Sequence, residues 1–114
     1  MNRMLAVMLY KFKSKAAGDL IMLEPNGRQV LEIIGKDAQP KGIILPEQMP
    51  SAIRALEGAV EREEADQKAM VEEAKAKGES PPRFDSVSLR QRAVPFLDML
   101  RRCEKAGQEI VWGV

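Results

Sequence analysis

The longest regular pattern of apolar and polar positions covers residues 50–77 and predicts a single helix. Apolar residues recur there every three or four positions, the spacing of a helix face that packs on a core: Met49, Ile53, Leu56 and Val60. At 1.5 Å per residue this helix is about 42 Å long, whereas a compact chain of this size is roughly 35 Å across. We therefore expect it to project beyond its own domain or to be covered by a partner.

The apolar stripe of this helix stops across the polar residues 61–68 and returns at Met70, Val71 and Ala74. One interpretation is a solvated helix whose far end packs on a neighbouring element of the same chain. The other is that Met70, Val71 and Ala74 form a candidate interface with a second subunit. Gly58 lies in the first half and costs about 1 kcal/mol relative to alanine in a helix. It either marks a close approach of another backbone or is simply tolerated.

Shorter patterns predict the elements at both ends of the chain. Residues 4–14 predict a strand with Tyr10 and Phe12 on one face, and residues 108–114 predict a closing strand. Residues 28–35 predict a short helix that ends at a glycine. Between them, Asp19 is placed to cap a short apolar turn at residues 20–23. Residues 43–45 form an extended apolar triplet that is a candidate for a short strand.

A second long helix is predicted from Ser88 to Ala106. Ser88 and Gln91 have the spacing of a capping box. Pro95 lies inside the helix, removes a backbone hydrogen bond and predicts a bend. Cys103 lies on the apolar stripe, which indicates a core residue rather than a nucleophile. The elements together predict an α+β fold, with a small sheet of N- and C-terminal strands packed on one short and two long helices.

Length and composition narrow the classes of function. The 114 residues are enough for a single domain with one core. A net charge of +1 gives no overall attraction to nucleic acid or membrane, and no apolar run is long enough to span a bilayer. The single cysteine fits a reducing compartment, so cytoplasm is expected. The chain lacks histidine and carboxylate clusters with ligand spacing, so we predict no catalytic, metal or cofactor site.

The most compact basic feature lies around the first predicted strand. Lys11 and Lys13 share a strand face and either meet an anion or keep that face soluble. The candidate contacts of a small anionic ligand, bound by the loop after this strand, are Lys11, Lys13, Lys15, Asp19 and Arg28. RNA-binding sheets carry aromatic side chains beside the basic ones. Here the aromatic side chains point to the opposite face, so nucleic-acid binding is not expected.

Several segments of the chain resemble a known family: YKFKSKAAGD, EPNGRQVLEIIGK, SLRQRAVPFLDMLRR and GQEIVWGV. They are similar to short proteobacterial proteins classed only as a domain of unknown function. The resemblance covers most of the chain from Met8 onward and is weakest across residues 61–87. It implies a bacterial cytosolic protein and supplies no catalytic motif. The usual first residues of that family resemble MLYKFKS, which begins here at Met8. Residues 1–7 are therefore a candidate extension from an upstream in-frame start.

These observations favour a non-catalytic module that forms a homodimer or binds another protein. Residues 5–8 are apolar on both strand faces and carry no charge to discourage edge pairing. A twofold axis joins two copies either at that strand edge or through the Met70 end of the long helix. The alternative is an enzyme or small-anion binder that uses the basic residues around the first strand.

Overall fold

A computed structural model describes residues 9–84 and 88–113. The described elements confirm the α+β class and follow one another along the chain in this order: β1 (Leu9–Ser14), β2 (Ala17–Leu23), α1 (Glu24–Ile33), β3 (Gly42–Ile44), α2 (Met49–Ala76), α3 (Leu89–Ala106) and β4 (Ile110–Trp112). A single 3₁₀ turn, Pro46–Gln48, leads into α2.

The strands form one antiparallel sheet in the order β2-β1-β4-β3. β1 and β2 make a hairpin, in which Tyr10 lies opposite Met22. β4 lies between β1 and β3, so that Trp112 is paired with Phe12 on one side and with Gly42 on the other. The chain therefore closes its sheet with a strand that is far in sequence from both of its neighbours.

The sheet differs from the expected one in having β2. Residues 20–23 were predicted as a turn capped by Asp19, but they belong to a strand along β1. Four consecutive apolar residues have no periodicity that separates a turn from a strand, and pairing with β1 decides the outcome. β1 is paired on both sides, and its expected start at residues 4–8 lies outside the described residues, as does Val114. The expected open edge at residues 5–8 falls there too.

The helices form one layer on a single side of the sheet, in which α1 and α3 contact the strands and α2 packs mainly on α1 and α3. The core combines strand residues such as Phe12 and Trp112 with helix residues such as Leu31, Leu56 and Phe96. The ring of Phe12 lies 4.9 Å from that of Phe96 and 5.8 Å from that of Trp112, measured between centroids. The short helix starts earlier than predicted, at Glu24, because Pro25 suits a first helical turn.

The second half of α2 projects from this core. Met49, Ala52, Leu56 and Val60 are buried, but between Glu61 and Ala76 the only buried residue of the described helix is Ala74. The radius of gyration is 16.7 Å, compared with about 13 Å for a compact chain of this length. The predicted helix at residues 50–77 is confirmed, and its length makes the molecule elongated.

The predicted start of α3 is also confirmed. The Oγ of Ser88 accepts a hydrogen bond from the backbone N–H of Gln91, and the backbone N–H of Ser88 donates to Oε1 of Gln91. The helix runs continuously through Pro95 to Ala106 and ends at Gly107 with a positive φ of 67°. The bend at Pro95 stays a prediction. Neither α3 nor any other helix among residues 9–84 and 88–113 is long and apolar enough to cross a membrane.

Candidate interaction surfaces

The sheet face that points away from the helices is partly apolar and uncovered by the described residues. We call it the open face and define it by the outward side chains of the four strands: Leu9, Lys11, Lys13, Asp19, Ile21, Leu23, Ile43 and Val111. Leu9, Ile21, Leu23 and Ile43 are 51%, 54%, 55% and 41% exposed. One face of each strand fills the core, so strand alternation leaves these side chains on the other face.

The charged side chains of the open face lie on two strands, with Lys11 and Lys13 on β1 and Asp19 on β2. Lys11 lies opposite Ile21 on the neighbouring strand. Val111 lies between Lys13 and Ile43. The Nζ of Lys11 is 3.6 Å from the carboxylate of Asp19, and both side chains are about half exposed. Such an exposed ion pair contributes little to stability. The face therefore presents lysines on the strand β1, apolar side chains on both neighbouring strands, and one carboxylate, that of Asp19, on β2.

The five residues predicted to bind a small anion are divided between two sides of the sheet. Lys11, Lys13 and Asp19 belong to the open face, and Lys15 lies in the hairpin turn beside it. Arg28 lies on α1, on the helix side, where its guanidinium is 2.6 Å from the carboxylate of Glu24. That hydrogen bond raises the pKa of Arg28. The geometry brings together three of the residues and leaves Arg28 apart.

The predicted interface residues lie on the projecting half of α2. Met70 is 49% exposed and Val71 is half-buried beside Phe84, which is itself 39% exposed. Ala74 is only 7% exposed. The chain that follows α2 folds back over it, and the backbone N–H of Glu79 donates to the carbonyl of Ala74 at 2.8 Å. Met70 and Val71 remain accessible, whereas Ala74 packs within its own chain.

A third surface lies between α2 and α3 and was not predicted from the sequence. We call it the interhelical groove: a depression of about 450 Å³ lined by Arg54, Glu57, Gly58, Val60, Glu61, Arg90, Ala93, Val94, Leu97 and Arg101. Its apolar part includes Val94, which is 51% exposed although it lies within a helix. Recognising this groove requires the packing of two helices, and neither helix pattern alone contains that information.

Two ion pairs bridge the helices along this groove. Arg101 pairs with Glu57. Arg90 donates from Nε and Nη2 to the two carboxylate oxygens of Glu64, at 2.6 and 2.8 Å. The second pair lowers the pKa of Glu64 and raises that of Arg90. Each of these four charged side chains therefore has a partner on the other helix, and the two ion pairs link α2 to α3.

Two further charged residues in the groove have no such partner. Arg54 and Glu61 lie on α2, and neither forms a hydrogen bond or an ion pair with another described residue. They are seven positions apart, so they share one face of the helix at a separation of about 10 Å. Glu61 is close enough to Arg90 to raise its pKa slightly. Along this face the groove thus carries one positive and one negative end.

Gly58 lies on α2 between those two ends. A Cβ added there would meet only Nη1 of Arg62, at 3.3 Å, the far end of a flexible side chain. Gly27 and Gly42 differ, because a Cβ would run into the rings of Tyr10 and Trp112 respectively. Packing therefore explains glycine at positions 27 and 42. At position 58, glycine in a helix interior costs about 1 kcal/mol without a compensating internal contact.

Metal-ligating side chains do not cluster among the described residues. Residues 9–84 and 88–113 contain no group of three or more Cys, Asp and Glu side chains that could hold a metal ion. Cys103 has no exposed surface, which confirms its predicted place in the core.

The fold and these surfaces define a small α+β domain with helices on one face of its sheet and an opposite face that none of residues 9–84 and 88–113 covers. A family model described as a domain of unknown function, DUF1840, matches residues 8–112. The chain belongs to this family, as its sequence segments indicated. Searches of curated proteins and of solved structures give no match.

Proposed function

We propose that the protein is a non-catalytic module of the bacterial cytoplasm that forms a homodimer and binds another protein through the open face. The cytoplasmic and bacterial assignment rests on the single cysteine and on the resemblance to short bacterial proteins. The observation that carries the binding proposal is the solvent exposure of three large apolar residues on the paired strands β1 and β2. Leu9, Ile21 and Leu23 are each more than half exposed.

The energetic argument starts from what such a sheet normally presents to water. An antiparallel sheet with one solvated face usually alternates apolar and polar positions. Here Ile21 and Leu23 are outward on β2 while Met22 between them is buried, so that strand is apolar on both faces. Burying an exposed leucine or isoleucine contributes about 1.5–3 kcal/mol. A contiguous patch of such residues is typical of a protein contact surface.

The charges on the open face indicate the chemistry of the partner. A second copy of the same face would bring the lysines of β1 close to each other, which is unfavourable. The open face carries two lysines and the carboxylate of Asp19, so its net charge is positive. A partner with carboxylates flanked by apolar side chains complements that charge and covers Ile21, Leu23 and Ile43. We therefore propose an acidic, partly apolar protein surface as the occupant of the open face.

The small-anion alternative is supported only by the shared face of Lys11 and Lys13. Arg28, on the other side of the sheet, does not converge with them. A small anion also gives no reason for apolar side chains around the lysines. We keep this alternative as an outcome of the test.

Site-specific photo-crosslinking in bacterial cells tests the proposal. A photoreactive phenylalanine analogue replaces Ile21 or Ile43 on the open face, and the exposed Glu104 on α3 is replaced in the same way as the control. We expect adducts with another polypeptide at positions 21 and 43, on peptides rich in Asp and Glu. Charge reversal by Lys11→Glu with Lys13→Glu should remove these adducts, while Lys105→Glu should leave them.

Three results would contradict protein binding by the open face. One is an absence of adducts at positions 21 and 43. Another is adduct formation that is equally strong at position 104. The third is loss of the polypeptide adducts at positions 21 and 43 when inorganic phosphate is added at millimolar concentration, which would favour the small-anion alternative.

A further inference from the structure

We infer that the interhelical groove is where two copies of this chain associate, with their α2 helices crossing antiparallel at Gly58. This inference rests on the homodimer of the proposed function and assigns it a surface. The groove lies in the helix layer, and the open face lies on the other side of the sheet. A dimer formed in this way leaves both open faces free to bind a partner.

The first support is the position of Gly58. The chain's own packing leaves room for a larger residue there, since only the end of Arg62 lies near. A glycine on an exposed helix face lets the backbone of a second helix approach closely, because no side chain separates the two. The groove around it has room for side chains of that second helix. Gly58 is thus explained by a contact that the isolated chain does not contain.

The second support is charge complementarity of the groove with itself. Arg54 precedes Gly58 by four positions and Glu61 follows it by three, so each lies about one helical turn from the crossing point. In an antiparallel crossing about a twofold axis, Arg54 meets Glu61 of the partner subunit, and Glu61 meets Arg54 of the partner subunit. Neither residue has a hydrogen bond or ion pair among the described residues, so the dimer would complete two reciprocal ion pairs.

The third support is the apolar surface beside these charges. Val94 of α3 is 51% exposed and lines the same groove as the nearly buried Leu97. A helix seated against Gly58 covers Val94 and removes it from water. Glu57 and Arg101 already pair with each other, so closing the groove does not bury an isolated charge there. These contacts commit the groove to a second copy, because the same surface carries both complementary charges.

The experiment compares dimer dissociation constants by light scattering and analytical ultracentrifugation. The wild-type chain should have about twice the monomer mass of 12.7 kDa at tens of micromolar. Arg54→Glu sets a like charge against Glu61 of the partner subunit and should weaken the dimer at least tenfold. Combining Arg54→Glu with Glu61→Arg restores opposite signs and should recover most of the affinity. Lys68→Glu, a charge reversal elsewhere on α2, is the control.

Substitutions at Gly58 test the close approach separately from charge. Gly58→Leu should dissociate the dimer without lowering the helix content of the chain, as measured by circular dichroism. Gly58→Ala should weaken the dimer less. Increasing the sodium chloride concentration from 50 to 500 mM should also weaken the wild-type dimer, because the reciprocal pairs are partly screened. The same salt change should have a smaller effect on a variant that lacks both charges.

The outcomes separate this inference from the proposed function. A wild-type dimer unaffected by Arg54→Glu and Gly58→Leu overturns the inference and leaves the homodimer standing. Dissociation by Met70→Glu with Val71→Glu, but not by the groove variants, would assign the dimer to the end of α2. A monomer at tens of micromolar overturns both the groove dimer and the homodimer. Protein binding by the open face is decided separately by the crosslinking experiment.

Discussion

At the scale of single residues, two aromatic side chains attach the segment between α1 and β3 to the sheet. The hydroxyl of Tyr10 donates to the carbonyl of Ala38 at 3.0 Å. The indole Nε1–H of Trp112 donates to the carbonyl of Gln39 at 2.9 Å. Each ring fills the core while its polar atom reaches a backbone carbonyl, the arrangement that buried tyrosine and tryptophan require. The sheet thereby fixes a segment that has no regular structure of its own.

We predict that Trp112→Phe lowers the free energy of unfolding by about 2 kcal/mol. The substitution removes the hydrogen bond to Gln39 and leaves space beside Gly42, where the larger ring packs closely. Urea denaturation followed by circular dichroism at fixed protein concentration measures the change. Phe84→Leu alters an exposed aromatic residue and should change stability by no more than about 0.5 kcal/mol. Equal effects of the two variants would contradict the prediction.

The thiol of Cys103 should react slowly in the native protein. Its side chain has no exposed surface and lies in the core cluster with Phe96 and Leu100. A thiol reagent therefore requires local opening of α3 before it reaches the sulfur. Labelling followed by mass spectrometry should proceed much faster in urea than in buffer. Equal rates in the two conditions would place the thiol at the surface.

At the scale of elements, α3 contains a substitution site that should increase stability. Pro95 is exposed inside the helix, and it lacks the N–H that would bond to the carbonyl of Gln91. Pro95→Ala restores that donor without leaving a cavity, and we expect a gain of about 1–3 kcal/mol. Residual dipolar couplings should show a smaller angle between the two halves of α3 in the variant. Lys105→Ala is the control, and unchanged stability and angle would refute the predicted bend.

Both long helices were predictable from sequence to within one residue at each end. Their apolar repeats are long, and Ser88, Gln91 and Gly107 mark the ends of α3 by local chemistry. β2 was not predictable, because its identity as a strand depends on pairing with β1. The two faces of β1 followed from alternation, which placed Lys11 on the open face. The interhelical groove depends on contacts between residues about 40 positions apart, which no local pattern encodes.

At the scale of the whole molecule, the sheet separates a helix layer from the open face, and ion pairs connect α2 to α3 within that layer. The pair between Glu64 and Arg90 joins residues 26 positions apart. The pair between Glu57 and Arg101 joins residues 44 positions apart. These links join the two longest elements, so they contribute to the rigidity of the layer more than to local helix stability. The effect of the pair between Glu64 and Arg90 should be visible in the response of the whole fold to acid.

We predict a small acid-dependent contribution from Glu64. The hydrogen bond from Arg90 lowers the pKa of Glu64 below its ordinary 4.5 in the folded state. The unfolded state therefore binds more protons in this range, and stability falls as the pH decreases from 4.5 through the lowered value. Glu64→Gln should flatten this part of the pH profile of unfolding free energy. The effect is small because the pair is exposed. Asp66→Asn serves as the control. Identical pH profiles of unfolding free energy for wild type and Glu64→Gln would contradict the prediction.

The position of β4 between β1 and β3 has a consequence for the order in which the molecule folds. Phe12 pairs with Trp112, a hundred positions later in the chain. The ribosome therefore makes the hairpin, α1, β3 and α2 well before the strand that joins β1 to β3 exists. Until β4 arrives, the inner edges of β1 and β3 have no partner between them, and the ring of Phe12 lacks its contact with Trp112. Such non-local closure slows folding, and unpaired edges favour contacts with other chains. Nascent chains of this protein should accordingly depend on chaperones until β4 has left the ribosome.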